Sequence, residues 1–246
     1  MTTNQGTQNK STSQTFLVTE LQLLTEDVYR VILTAEAGFV PDYKAGQYLE
    51  IVVDGDAMAF SIASAPVPQQ KTLELHIQKL PGKPNSEKLF SALGSGNVQV
   101  IMAKGQCCLD TIPNRPLVFI AAGTGFAQMK SMIEFVLLSG QERDIHFYWG
   151  ARSPEGFYMP SLPVQWSSSR VHYHPVVSDA NEKDSWKGRQ GLLFEAVIDD
   201  KDHLNGSEVF ISGSPQMVYA TYDALVEEGF DSSAFHSDVF EYAPRA

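Results

Sequence analysis

Cysteine is nearly absent from this chain. Its 246 residues include two, Cys107 and Cys108, and these are adjacent. An adjacent pair fits no iron–sulfur ligand set, no cysteine-built zinc site and no disulfide framework, so a reducing cytoplasmic setting is expected. Long apolar runs are missing as well, and none approaches the roughly 20 residues a membrane-spanning helix needs. The opening MTTNQGTQNKSTSQ has no apolar core of the secretory kind, and its Thr, Asn, Gln and Ser content reads as a disordered tail over residues 1–13. Positive charge is scarce: 18 Lys and Arg stand against 29 Asp and Glu, a net charge of −11. A broad basic patch for nucleic acid or an anionic membrane is therefore not expected, although a local basic spot could still hold one phosphate. No metal-ligand cluster and no nucleophile–base triad stands out.

What is present changes rhythm part-way along. Residues 16–24 and 28–35 are rich in β-branched and aliphatic residues and flank the turn Thr25-Glu26-Asp27. Residues 47–53 form a further apolar stretch, and Leu73, Leu75 and Ile77 alternate with Glu74, His76 and Gln78, the period of a half-buried strand. Short strands with polar turns, interrupted by one helix near residues 86–93, predict a small antiparallel β-barrel domain over residues 14–112. Beyond Pro113 the pattern alternates. Apolar strands are expected at residues 117–122, 145–149, 171–177 and 209–212. Helices are expected where Met129, Met132, Ile133 and Val136 recur at helical spacing and at 192–198 and 217–227. Strands alternating with helices predict an α/β domain with a parallel sheet over residues 113–246.

Two turns of small residues lie where that sheet would bind a ligand. Gly123-Thr124-Gly125 joins a buried strand to a helix, where glycine lets the backbone approach an anion and the helix start presents free N–H groups. Alone this is a weak signal, because many strand–helix turns need glycine merely to turn. Ile211-Ser212-Gly213-Ser214-Pro215-Gln216-Met217 is a second such turn, with Ser214 suited to cap a helix and Pro215 to its first position. Both would sit at the carboxyl edge of the sheet, and together they make a site more credible than either does alone. In the first domain, Phe60-Ser61-Ile62-Ala63-Ser64 reads as a strand with hydroxyls at intervals, most often a structural feature.

Taken in order, Ala45-Gly46-Gln47-Tyr48, Phe60 to Ser64, Leu75-His76-Ile77, Ala122 to Phe126, Tyr148-Trp149-Gly150, Gly213 to Met217 and Ser237-Asp238-Val239-Phe240 make a specific series. The chain resembles the NAD(P)H-flavin reductases of the ferredoxin-reductase superfamily, the bacterial group that includes the flavin reductase of luminous bacteria. The resemblance covers nearly everything after the tail. It implies a flavin-binding barrel followed by an NAD(P)-binding domain, with hydride transfer from NADH or NADPH to FMN, FAD or riboflavin.

The resemblance also assigns residues. Phe60, Ser61, Ile62 and Ala63 would line the flavin ring, with Ser64 beside them and the Ser61 hydroxyl near the flavin N5. Gly123, Thr124 and Gly125 would cradle the nicotinamide nucleotide, with Gly213, Pro215 and Met217 on its other side. Phe240, with Tyr242, would approach the flavin face that nicotinamide must reach. His76 is left a structural strand residue. Hydride transfer is the cofactors' own chemistry, so the protein must mainly align two rings about 3–3.5 Å apart and exclude water.

The chain departs from the family pattern at three places. Met58 and Ala59 stand where an arginine pair-partner for a flavin phosphate is usual, and Ser212 replaces a frequent cysteine. Lys83 and Lys88 are candidate substitutes for the arginine. Arg152 is a candidate contact for a 2′-phosphate, which leaves NADH against NADPH open. Three functions follow from the resemblance. The first is a reductase that releases reduced flavin to a flavin-dependent acceptor enzyme. The second is a reductase component that keeps FAD and passes electrons to a protein partner. The third is a non-catalytic flavin or nucleotide-binding regulator.

Overall fold

The computed structural model describes residues 13–168, 170–181 and 185–245. All but the last residue of the expected tail lie outside that range.

The first part is a six-stranded antiparallel sheet. Its strands are β1 (Gln14–Leu23), β2 (Val28–Ala35), β3 (Tyr48–Val53), β4 (Asp56–Ser61), β5 (Thr72–Gln78) and β6 (Asn97–Lys104), in the order β4-β3-β6-β1-β2-β5. Inward residues alternate along each strand, so that Val31, Leu33, Leu49, Ile51, Leu73, Leu75, Val98 and Val100 form one core. Asp54 and Gly55 turn β3 into β4, both with positive φ (52° and 89°), the backbone a two-residue hairpin requires. An antiparallel bridge between Ile62 and Leu75 joins the two sheet edges and closes the barrel. Helix α1 (Pro84–Gly94) starts on a proline and buries Leu89 and Leu93 against the barrel.

The second part is a six-stranded parallel sheet. It comprises β7 (Leu117–Ala122), β8 (Ile145–Ala151), β9 (Val171–Val177), β10 (Arg189–Gln190), β11 (Glu208–Ser212) and β12 (Phe235–His236), ordered β10-β9-β8-β7-β11-β12. Its helices are α2 (Phe126–Leu138), α3 (Ser161–Trp166), α4 (Leu193–Asp199), α5 (Pro215–Glu227) and α6 (Val239–Tyr242). Strand β7 is apolar on both faces, as a central parallel strand must be.

The chain runs from β7 outward to β10 in one direction and then restarts on the other side with β11. The connections therefore diverge between β7 and β11, which makes the loops after these two strands the crevice where such sheets take ligands.

A barrel followed by a parallel α/β sheet is the fold class the sequence implies. Strand β6 and the short elements α3, α6, β10 and β12 were not anticipated from sequence.

Candidate nucleotide and flavin site

At the switch point the two small-residue turns lie side by side. Gly123 has φ +53°, and a side chain built on it would meet no atom within 4 Å, so the turn faces open space. Its carbonyl accepts from the Trp149 indole N–H at 3.1 Å, which fixes the turn from beneath. The other glycines serve packing. A Cβ on Gly125 would collide with the carbonyl of Ser212, and one on Gly213 with the Met217 side chain. Ser214 caps α5 by accepting from Met217 N–H at 3.3 Å, and Pro215 occupies its first turn, so Pro215 acts through the helix start.

Above these turns lies a cavity of about 890 Å³, within the roughly 300–1,000 Å³ common for small-molecule sites. Gly123, Thr124, Gly150, Arg152 and Met217 line it from the sheet, and Glu26, Asp27, Val28 and Gln78 line it from the barrel.

Phe60 and Ser61, at the end of β4, are not among the residues that line this cavity. Ser61 pairs with Tyr48 across the β3–β4 ladder, is half-buried, and its hydroxyl makes no hydrogen bond among the described residues. Met58 and Phe60 share the opposite face and pack on the barrel core. The Lys88 ammonium lies 3.8 Å from the Asp54 carboxylate in the β3–β4 turn.

Two of the expected ring-lining residues, Ile62 and Ala63, and Ser64 beside them make their contacts within the fold. Ile62 and Ala63 are wholly buried, Ile62 in the barrel core, so neither shows a side chain to the cleft. Ala63 N–H donates to the Glu74 carbonyl at 2.7 Å, and its own carbonyl accepts from Lys130 Nζ at 3.3 Å. The Ser64 hydroxyl lies within a local network, accepting from Glu74 N–H at 3.2 Å and meeting the Tyr43 hydroxyl at 3.2 Å. The reason is common to all three: β4 ends at Ser61, and the chain then turns inward to close the barrel.

Phe240 also has a packing role. Its ring lies 5.6 Å from that of Tyr219 and 5.5 Å from that of Tyr222, as a plug against α5, while Tyr242 is left 64% exposed. Just before them, Asp238 ties the C-terminal segment to the barrel. Its Oδ1 accepts from Gln106 and Cys107 N–H, each at 3.0 Å, and its Oδ2 from Gln128 Nε2 at 2.8 Å. Burial pushes the Asp238 carboxyl above the ordinary carboxylate range, and burial together with Asp238 raises the phenols of Tyr48 and Tyr242.

A second polar junction escaped the sequence reading. Helix α2 is buried on nearly all sides, and its polar residues Gln128, Lys130 and Ser131 face the barrel. Lys130 Nζ reaches Glu134 at 2.9 Å and Glu74 at 3.4 Å. Glu74 Oε1 also accepts from Arg30 Nε at 3.2 Å and from His76 Nε2 at 2.8 Å. Burial alone would raise the Glu74 carboxyl, but the hydrogen bond from His76 and the charges of Lys130 and Arg30 hold it at about 2. Burial keeps His76 neutral. With Nε2–H donated to a carboxylate, Nδ1 is left to accept from the Tyr158 hydroxyl at 3.0 Å. Tyr158 lines the cavity, so this chain of bonds connects the barrel to the cavity wall. The signal was present as Glu74 and His76 on one strand, but partners 56 and 82 residues away are set only by the fold.

Comparison with known proteins agrees with this geometry. Residues 119–223 match the model of the oxidoreductase NAD-binding domain. The NAD(P)H-flavin reductase of Vibrio harveyi is 30% identical over 85% of this chain and 90% of its own length. This chain belongs to that family.

Other relatives are longer. Protein RfbI of Salmonella typhimurium is 35% identical over 84% of this chain, and the CDP-6-deoxy-L-threo-D-glycero-4-hexulose-3-dehydrase reductase of Yersinia pestis is 30% identical over 89%. The chain spans 61% and 66% of their lengths. Among solved structures, the Amycolatopsis cytochrome P450 reductase GcoB superposes with a TM-score of 0.80 at 26% identity, over 92% of this chain and 68% of its own.

Proposed function

We propose that the protein is an NAD(P)H:flavin oxidoreductase that takes flavin as a dissociable substrate and releases it reduced. One observation carries the reading: the cavity at the sheet's switch point is walled by both domains, so a nucleotide lying on the glycine turn faces the barrel. The residues suit a nicotinamide dinucleotide, because Gly123 is open to the cavity and the N-terminal turn of α2 follows directly. The nicotinamide supplies a hydride and the flavin accepts it. The chain's part is to position and to exclude water. Gly123 and Thr124 offer backbone to the pyrophosphate, Met217 gives an apolar wall, and the unpartnered Ser61 hydroxyl offers one hydrogen bond to the flavin ring.

Loose flavin binding rests on Met58. A charge-assisted arginine–phosphate hydrogen bond contributes about 1.5–3 kcal/mol, and a thioether supplies none of it. Purified protein should therefore leave gel filtration nearly colourless, and riboflavin should serve as well as FMN or FAD in a steady-state assay with NADH and NADPH.

A second reading is supported by the longer relatives named as reductases of other enzymes: this protein would keep FAD and pass electrons to a protein partner. A yellow protein holding one FAD per chain, with no gain from added flavin, would decide for it. NADH oxidation that depends on added flavin would set aside the regulator reading.

A further inference from the structure

The nucleotide cavity is unevenly charged. Glu26, Asp27 and Glu155 line it, and among the described residues Arg152 is the lining cation. That cation is already faced by an acid: the Arg152 guanidinium stands 4.0 Å from the Asp179 carboxylate, and the Asp179 N–H holds the Arg152 carbonyl at 2.9 Å. Arg152 is also 91% exposed at its side chain, so water already solvates it.

The position of these groups decides which part of a nucleotide they meet. In sheets of this kind the pyrophosphate sits on the turn after the first strand, and the ribose 2′-position is read beyond the end of the next strand. Here those places are Gly123-Thr124-Gly125 and the segment running from Arg152 and Ser153 to Glu155. A ribose 2′-hydroxyl can donate to a carboxylate there. A 2′-phosphate instead brings about −1.5 to −2 charges at pH 7 and only acceptor oxygens. It would enter among three carboxylates, with its one cation shared with a fourth, on a chain of net charge −11.

We infer that the protein selects NADH over NADPH, with Glu155 and Asp179 as the specificity-determining carboxylates. The inference rests on the proposed function, because it takes the cavity to be the nicotinamide nucleotide site. Its mechanism is repulsion, so its strength depends on salt: the screening length falls from about 10 Å at 0.1 M to about 3 Å at 1 M.

The test is equilibrium titration of the flavin-free protein with NADH and with NADPH by calorimetry, at low and high salt. At low salt NADH should bind at least about tenfold tighter, and the ratio should narrow as salt rises. The double variant Glu155→Gln, Asp179→Asn should narrow it too, chiefly by tightening NADPH. Both side chains are exposed, so the variant should fold. A steady-state comparison of kcat/KM for the two nucleotides should show the same order. NADPH binding as tightly as NADH would overturn the inference alone, as would a ratio indifferent to both salt and the double variant. Binding of neither nucleotide would overturn it together with the reading it rests on.

Discussion

Two surfaces lie where the barrel meets the α/β sheet. Along α2 the contact is closed, and every buried polar side chain has a partner: Gln128 with Gly46, Cys107 and Asp238, Lys130 with Glu74 and Glu134, His76 with Glu74 and Tyr158. At the glycine turn a Cβ on Gly123 would meet no described atom within 4 Å, and at the end of β4 the half-buried Ser61 hydroxyl has no hydrogen-bond partner among the described residues. Burial explains the contrast. An unpaired polar group out of reach of water costs several kcal/mol, so the closed surface must be satisfied internally. An open one can leave donors free for a ligand, because water covers them until it arrives. Mutations in the first surface should therefore show as lost stability, and those in the second as lost function in a stable protein.

The largest effect is expected at Glu74, the acid on which Arg30, His76 and Lys130 converge. Glu74→Gln should cost about 3–5 kcal/mol of unfolding free energy, since it leaves buried positive charge with one carboxylate, Glu134, in place of two. The effect should depend on pH in a definite sense. The folded carboxyl is held at about 2, below the unfolded value of about 4.3. Its stabilisation is thus complete above the unfolded value and lost as pH falls toward 2. Asp238 works the other way, because its folded carboxyl is raised, so acidification favours its folded form. Urea unfolding from pH 7 down to 3 should show a steep acid limb in the wild type and a flatter one in Glu74→Gln. Equal slopes would mean Glu74 does not carry the junction.

The division between the two surfaces also explains what the sequence disclosed. Elements with strong periodicity were legible, among them β5 with its alternating Leu73, Leu75 and Ile77, and β7 with its continuous apolar run. Both small-residue turns were legible because glycine and proline mark backbone geometry directly. Strand β6, in which Val98 and Val100 alternate with polar residues, was not anticipated. The packing of Ile62, Ala63, Ser64 and Phe240 was not legible, for one physical reason. A linear motif shows which residues are near the cleft, but not which way each side chain turns once the strand ends or the helix packs. The closed junction was invisible because its members come from β2, β5, α2 and the segment around Tyr158, and only the fold assembles them.

A middle-sized effect is expected at Gly123, which belongs to both sides of the comparison. Any other residue at φ +53° carries backbone strain of about 1–2 kcal/mol. Its side chain would also project into the open cavity. Gly123→Val should therefore lose that much stability and raise KM for the nicotinamide nucleotide about tenfold or more. Gly123→Asn separates the two causes, because asparagine tolerates the left-handed region better but still fills the space. If Gly123→Asn restores stability while KM stays high, occlusion of the cavity is the cause. A Gly123→Val protein with normal KM would leave the turn a turn.

The smallest effect, and the sharpest test of the open surface, is at Ser61. Its hydroxyl has no hydrogen-bond partner among the described residues, and the half-buried end of β4 accepts a smaller side chain, so Ser61→Ala should change stability by no more than about 0.5 kcal/mol. On the proposed function, what it removes is one hydrogen bond to the flavin ring. A single such bond contributes about 0.5–1.5 kcal/mol, and if it strengthens as the hydride arrives its loss lowers turnover by up to roughly tenfold. KM for the nicotinamide nucleotide should hardly move, because the cavity proposed to hold that ligand is lined by Gly123 and Thr124 and not by Ser61. The split between kcat and KM carries the argument. A fall in turnover at constant KM and constant stability places Ser61 beside the reacting ring. A rise in flavin KM at constant turnover would mean that the hydroxyl binds ground state and transition state alike. No change in either would show that its lack of a partner is incidental.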